Sequence, residues 1–167
     1  PMDARPLLEA VAAALRQVGL EAVLIGNAGA AIRGAPVTTV DLDFLFRRTP
    51  RNLQKLRALA DRLGATILRP YYPVSDLFRV ARDADGLQLD FMATVHGLRS
   101  FESVKARAMV VDLGGAPLLV ASLADIIRSK RAARRPQDIA VLPLLEQAHE
   151  EATRLAKGKA RRRPPGE

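Results

Sequence analysis

The chain predicts an α+β fold: a small mixed β-sheet with flanking helices, followed by two C-terminal helices. Three observations carry this. Apolar stripes of helical period alternate with short strand-like runs through the N-terminal half. Two hairpin signals follow, Asp83-Ala84-Asp85-Gly86 and Gly114-Gly115, each set between apolar runs of strand length. Beyond Ser122 the pattern is helical, broken once at Arg135-Pro136. With 167 residues, no repeat and no linker-like stretch, one domain over 1–150 and a basic C-terminal tail over 151–167 are expected.

The elements follow in order. Leu7, Leu8, Val11, Leu15 and Val18 recur at helical spacing between Pro6 and Gly19. Glu21–Ile25 reads as a strand, and Ala28–Arg33 as a short helix closed by Gly34. Thr39–Phe46 is a second strand-like run. Thr49-Pro50 caps a helix whose stripe is Leu53, Leu56, Leu59, Ala60 and Leu63, with Gly64 at its end. Thr66–Arg69 is a short strand leading into a loop with Pro70, Tyr71, Tyr72 and Pro73. Leu77–Arg82 and Leu87–Met92 pair across the first hairpin turn. Ser100 caps a helix to Arg107, and Ala108–Leu113 pairs with Pro117–Val120 across the second turn. Ser122-Leu123-Ala124-Asp125 has the form of a capping box opening a helix to about Ala133. A final helix runs from Pro136 towards Lys157.

Composition narrows the chemistry. No cysteine is present, which excludes disulfides and thiolate metal sites. The hydrophobic share is 49% with only 4% aromatic, so the core is built from Leu, Val, Ile and Ala. No apolar run approaches the roughly 20 residues of a membrane span, and no signal-peptide pattern is seen, so a cytoplasmic protein without a membrane partner is expected. His96 and His149 lie too far apart in sequence to suggest a zinc motif. The net charge of +8 is uneven. Arg154, Lys157, Lys159, Arg161, Arg162 and Arg163 against Glu167 put +5 on residues 154–167 and leave +3 for the rest. Such an arm reads as a polyanion contact.

The chemistry concentrates on three carboxylates. Thr39-Val40-Asp41-Leu42-Asp43-Phe44 sets two of them one residue apart in an apolar run. In a strand both project from one face, where they repel unless exposed, protonated or neutralised by a cation. Asp90 interrupts Leu87–Met92 in the same way. If that run lies beside the first, all three converge on one sheet face. Oxygen-only donors of this kind suit Mg²⁺, which takes one or two carboxylates plus substrate phosphates. Metal-assisted phosphoryl transfer needs such a cluster. The Gly26-Asn27 turn before a helix offers N–H groups to phosphate oxygens. Asp83 and Asp85 belong to a turn.

Gly26-Asn27 with Gly34, then Thr39-Val40-Asp41-Leu42-Asp43, then Asp90, resemble the nucleotidyltransferase fold of the DNA polymerase beta superfamily. The run from Ser122 to Asp138 is similar to the C-terminal helices of minimal bacterial nucleotidyltransferases, including the abortive-infection toxin type and some antibiotic-modifying relatives. The resemblance spans residues 20–145. It implies Mg²⁺ or Mn²⁺, a nucleoside triphosphate, and transfer of its nucleoside monophosphate to a hydroxyl. By it, Asp41, Asp43 and Asp90 are the metal-binding and catalytic carboxylates. Lys130 is a catalytic lysine that reaches the nucleotide, and Gly26, Asn27, Thr39 and Asp138 also contact it. Two departures stand out: Asn27 occupies a position usually Gly or Ser, and Val37 and Val40 replace residues often basic in toxin-type relatives.

The expected acceptor is RNA, the tRNA 3′ end first, in a toxin-like role with a cognate antitoxin or toxin protein as partner. Arg131, Arg134, Arg135, Arg161, Arg162 and Arg163 would hold the nucleic acid. An aminoglycoside acceptor would call for an acidic pocket, and the chain is not acid-rich outside the three carboxylates. Nucleotidylation of a protein is a further alternative. A different class, a catalytically silent module that binds RNA or a partner, would account for Asn27, Val37 and Val40.

Overall fold

The computed structural model describes residues 5–38, 41–68 and 77–162. The chain opens with α1 (Arg5–Val18), β1 (Ala22–Ile25), α2 (Gly26–Ile32) and β2 (Leu42–Phe46). There follow α3 (Pro50–Arg62), β3 (Thr66–Leu68), β4 (Leu77–Arg82), β5 (Leu87–Met92) and α4 (Phe101–Arg107). A second hairpin, β6 (Met109–Leu113) with β7 (Ala116–Val120), leads to α5 (Leu123–Ala133) and α6 (Pro136–Arg161). The strands form one sheet in the order β3-β4-β5-β2-β1-β7-β6. It is mixed, because β2 runs parallel to β5 and β1 parallel to β7 while the other neighbours are antiparallel.

Strand alternation builds two cores. Leu24, Phe44, Phe46, Phe78, Val80, Leu89 and Phe91 point to the face covered by α1 and α3, meeting Val11, Leu15, Leu56 and Leu59. Phe44 stacks on Phe91 with ring centroids 5.0 Å apart, and Phe46 meets Phe91 edge-on at 5.9 Å. The other face carries Val23, Ile25 and Leu45, packed with Phe101, Val104, Ile126 and Leu145 of α4, α5 and α6. Asp43 and Asp90 lie on this second face, in phase with Leu45 and Met92.

The expected caps of α3 and α4 form: Thr49 accepts from the Asn52 N–H, and Ser100 from that of Ser103. Three local differences matter. The helix α2 starts at Gly26, so Gly26 and Asn27 form its first turn rather than a turn before it. The strand β2 starts at Leu42, which leaves Asp41 just outside it and exposed. The reason is pairing: β1 ends with Ile25 opposite Asp43 and turns into α2, so β1 has no residue left to face Asp41. At α5, Ser122 caps the Asp125 N–H, but the Asp125 carboxylate is taken by Arg107 rather than returned to Ser122. Thr39, Val40, Tyr71, Tyr72 and Arg163 lie outside the described residues.

Candidate functional site

The site is built on one row of the sheet. In register across four strands stand Ile25 of β1, Asp43 of β2, Asp90 of β5 and Arg79 of β4. Parallel pairing sets Asp43 and Asp90 side by side on the second face. Gly26 closes one side of the row. Its φ is +65°, which favours glycine, and a Cβ built on it would sit 2.7 Å from the Asp43 Oδ2, so a side chain here would have to displace the carboxylate. The adjacent Asn27 has a buried Oδ1 without a hydrogen-bond partner among the described residues. That atom is an acceptor, so the group it lacks is a donor: a hydroxyl, an ammonium or a bound water.

Charge accumulates around Asp43. Burial, then Asp90 and Asp41, push its carboxyl up from 3.8 to about 6, while Lys130 and Arg135 pull it down. Asp41 therefore contributes its field from the rim of the site although it is not on the strand. The two cations come from the junction of α5 and α6. Arg134 ends α5 in the left-handed region at φ 54°, and Arg135 is extended before Pro136. This turn folds Asp138 back on both cations. Asp138 is fully buried and accepts from Arg135 Nε at 2.8 Å, Arg135 Nη2 at 3.1 Å and the Arg135 backbone N–H at 3.1 Å. Lys130 Nζ lies 3.4 Å from its Oδ1. Burial alone would raise the Asp138 carboxyl, but these partners outweigh it and hold it below the usual range. Asp138 thus positions Lys130 and Arg135 and has no open face of its own.

Asp90 is not free. Arg79 grips it with two bonds, Nε–Oδ1 at 2.9 Å and Nη2–Oδ2 at 3.2 Å. The Gln88 amide adds a weaker contact at 3.4 Å. Among the described residues no three His, Asp or Glu side chains close together as a metal cage. Arg79 escaped the sequence reading, although a signal was present. A four-residue turn over 83–86 makes paired residue numbers in the hairpin sum to one constant, so the pair Arg82–Leu87 dictates Arg79–Asp90. Arg135, expected on nucleic acid, is bound to Asp138 and acts on Asp43 electrostatically, through a helix junction that periodicity does not show.

The remaining basic residues divide. Arg131 is paired with Glu146 at 2.7 Å on the surface, which reduces what it can offer a phosphate. Arg134, Arg161 and Arg162 are exposed. His96 is exposed and is not one of the paired residues of this row.

No family model matches the sequence, and no curated protein matches it. Solved structures do match in fold. One is ANT(2")-Ia in complex with adenylyl-2"-tobramycin, at TM-score 0.60 and 18% identity, covering 93% of this chain and 95% of that one. The solution structure of the same antibiotic-resistance factor gives TM-score 0.58 at 16% identity over 93% and 95%. An antigenic nucleotidyltransferase-like protein from Paracoccidioides brasiliensis gives 0.53 at 15% identity, covering 84% of this chain and 74% of that one. The row of Asp43, Asp90 and Arg79 therefore sits on a mixed sheet with the nucleotidyltransferase fold.

Proposed function

We propose that this chain is a metal-dependent nucleotidyltransferase that moves a nucleoside monophosphate from a nucleoside triphosphate to a hydroxyl, with RNA as the leading acceptor. One observation carries the reading: Asp43 and Asp90 stand side by side next to a glycine whose backbone closely approaches the Asp43 carboxylate, within the field of the cations Lys130 and Arg135. The donor set fits Mg²⁺ or Mn²⁺. Two neighbouring, partly buried carboxylates that repel each other are what a hard cation completed by substrate phosphates requires. Asp43 and Asp90, with Asp41 at the rim, would hold it, and bound there it would neutralise triphosphate charge and polarise the transferred phosphorus.

The chain's own residues supply the rest. Lys130 and Arg135, aligned by Asp138, place positive charge where the leaving pyrophosphate develops negative charge. Asn27 Oδ1 accepts from a nucleotide hydroxyl or bound water. Asp90 takes the acceptor proton as the acceptor oxygen bonds to the α-phosphorus and the bond to pyrophosphate breaks. That step requires Arg79 to loosen its grip on Asp90.

A net charge of +8 favours a polyanionic acceptor over a polycationic aminoglycoside. Within the RNA reading, the tRNA 3′ end and a toxin-like role with a cognate protein partner are the finer expectation. A second reading, a silent module that binds nucleotide and RNA without transfer, is favoured by the closed Arg79–Asp90 pair and by Asn27. Incubation with each labelled NTP, Mg²⁺ and total tRNA separates the two. Labelled RNA from wild type and none from Asp43→Asn or Asp90→Asn supports transfer. Metal-dependent NTP binding by calorimetry with no labelled product would select the silent module.

A further inference from the structure

A second charged site shares no residue with the carboxylate row. A cavity of about 620 Å³ is lined by Gly97, Arg99, Ser103, Arg107 and Arg128, three guanidiniums and no carboxylate. The site is built rather than accidental. Gly97, at φ +78°, brings its loop so close to α5 that an added Cβ would lie 2.8 Å from the Arg128 carbonyl oxygen and 2.9 Å from the Ala132 Cβ. This fixes the loop that carries Arg99 against the helix that carries Arg128.

Beneath them lies Asp125, whose side chain is 1% exposed. It accepts from Arg107 Nε at 2.9 Å and Nη2 at 3.0 Å, and Arg128 Nη1 lies 3.6 Å away. The buried carboxylate therefore orients Arg107 in a bidentate clamp while leaving its side chain about half exposed. Arg99 is exposed and has no ion-pair partner among the described residues. Three arginines against one buried aspartate leave the cavity a formal +2. Ser103 adds no free donor, since its hydroxyl donates to the Ser100 carbonyl at 3.0 Å.

We propose that this cavity binds phosphodiester groups of a single-stranded RNA acceptor, anchoring it at a point distinct from the carboxylate row. Planar guanidiniums on three separate elements suit successive backbone phosphates. The inference rests on the RNA reading above and assigns the backbone to residues outside the α5–α6 junction and the tail.

The test is fluorescence anisotropy of a labelled single-stranded RNA oligonucleotide over a salt series. It compares wild type, Arg99→Ala/Arg128→Ala, the single variant Arg99→Glu, and a charge-matched control, Arg57→Ala/Arg62→Ala on α3. Arg107 is spared because it neutralises buried Asp125, and thermal melts verify folding. Each single-strand phosphate contact contributes about 0.7 to the slope of log K against log salt. The cavity double variant should therefore flatten the slope by about 1.4. Between 50 and 200 mM salt wild type should lose about sevenfold more affinity than this variant, and Arg99→Glu should weaken binding more than Arg99→Ala/Arg128→Ala per charge removed. NTP affinity should be unchanged. If RNA binds and the cavity variants match the α3 control, this inference fails and the RNA reading stands. If wild type binds no RNA at low salt, both fail. A loss of ATP or pyrophosphate affinity in the cavity variants without loss of RNA affinity would make it a small-anion site and overturn the proposal.

Discussion

At Asp43 the carboxyl titrates near 6 in the folded chain against 3.8 ordinarily. Because the folded value is the higher one, the contribution to stability is greatest below pH 3.8 and is lost as pH rises through 6. The full loss is roughly 3 kcal/mol at 1.36 kcal/mol per unit. Asp43→Asn should therefore raise the Tm of the metal-free protein at pH 7.5 and change it little at pH 4, a comparison that calorimetry makes directly. Mn²⁺ should raise the Tm of wild type at pH 7.5 by mass action and leave Asp43→Asn unmoved. Arg79 bears on the same response. A cation that binds Asp90 must compete with the two bonds from Arg79, so Arg79→Ala should enlarge the Mn²⁺-induced rise. A smaller rise in that variant would show that Arg79 builds the cation site instead of competing for it. The place of Asp43 on an apolar strand was legible from the alternation of Leu42, Asp43 and Phe44. The rim position of Asp41 was not, since it follows from where β1 stops.

Among the elements, hairpins and capped helices were read closely, because turn chemistry and N-caps are local. The β4–β5 hairpin and the helix from Phe101 to Arg107 have the expected limits. The start of α5 shows the limit of local reading. Ser122 caps as expected, but a long-range arginine claims Asp125. Ser122→Ala should cost about 1 kcal/mol in chemical denaturation, the usual value of a lost N-cap. Phe91→Ala should cost more, about 3–5 kcal/mol, because Phe91 is fully buried between Phe44 and Phe46. Urea midpoints that rank the two the other way would mean that the aromatic layer collapses to fill the gap.

Across the whole molecule, the basic residues behind the +8 charge meet different fates. Some arginines are consumed internally, as Arg79, Arg107 and Arg135 are by Asp90, Asp125 and Asp138. Arg99 and Arg128 join Arg107 at the cavity beside Gly97, and a further group extends along α6, whose residues from 151 to 162 are exposed. Deleting residues 154–167 removes six basic side chains, so RNA binding should lose part of its salt dependence while NTP and Mn²⁺ binding persist. Equal salt slopes for the truncated and full chains, measured by anisotropy, would assign RNA contact to the body of the protein alone.

The sequence by itself determined the element list, the mixed α+β class and the two strands that carry Asp43 and Asp90. Periodicity, caps and turns act within a few residues and are written directly into the chain. Only the tertiary structure decided that β2 lies parallel to β5, which turns two separate aspartates into neighbours. It also decided that Asp90 is held by Arg79, that Asp138 serves Lys130 and Arg135, and that Gly97 locks an arginine-lined cavity onto α5. Each of these joins residues from different elements. Such contacts are selected by how the sheet orders its strands and how helices pack on its second face, and no local spacing encodes that choice.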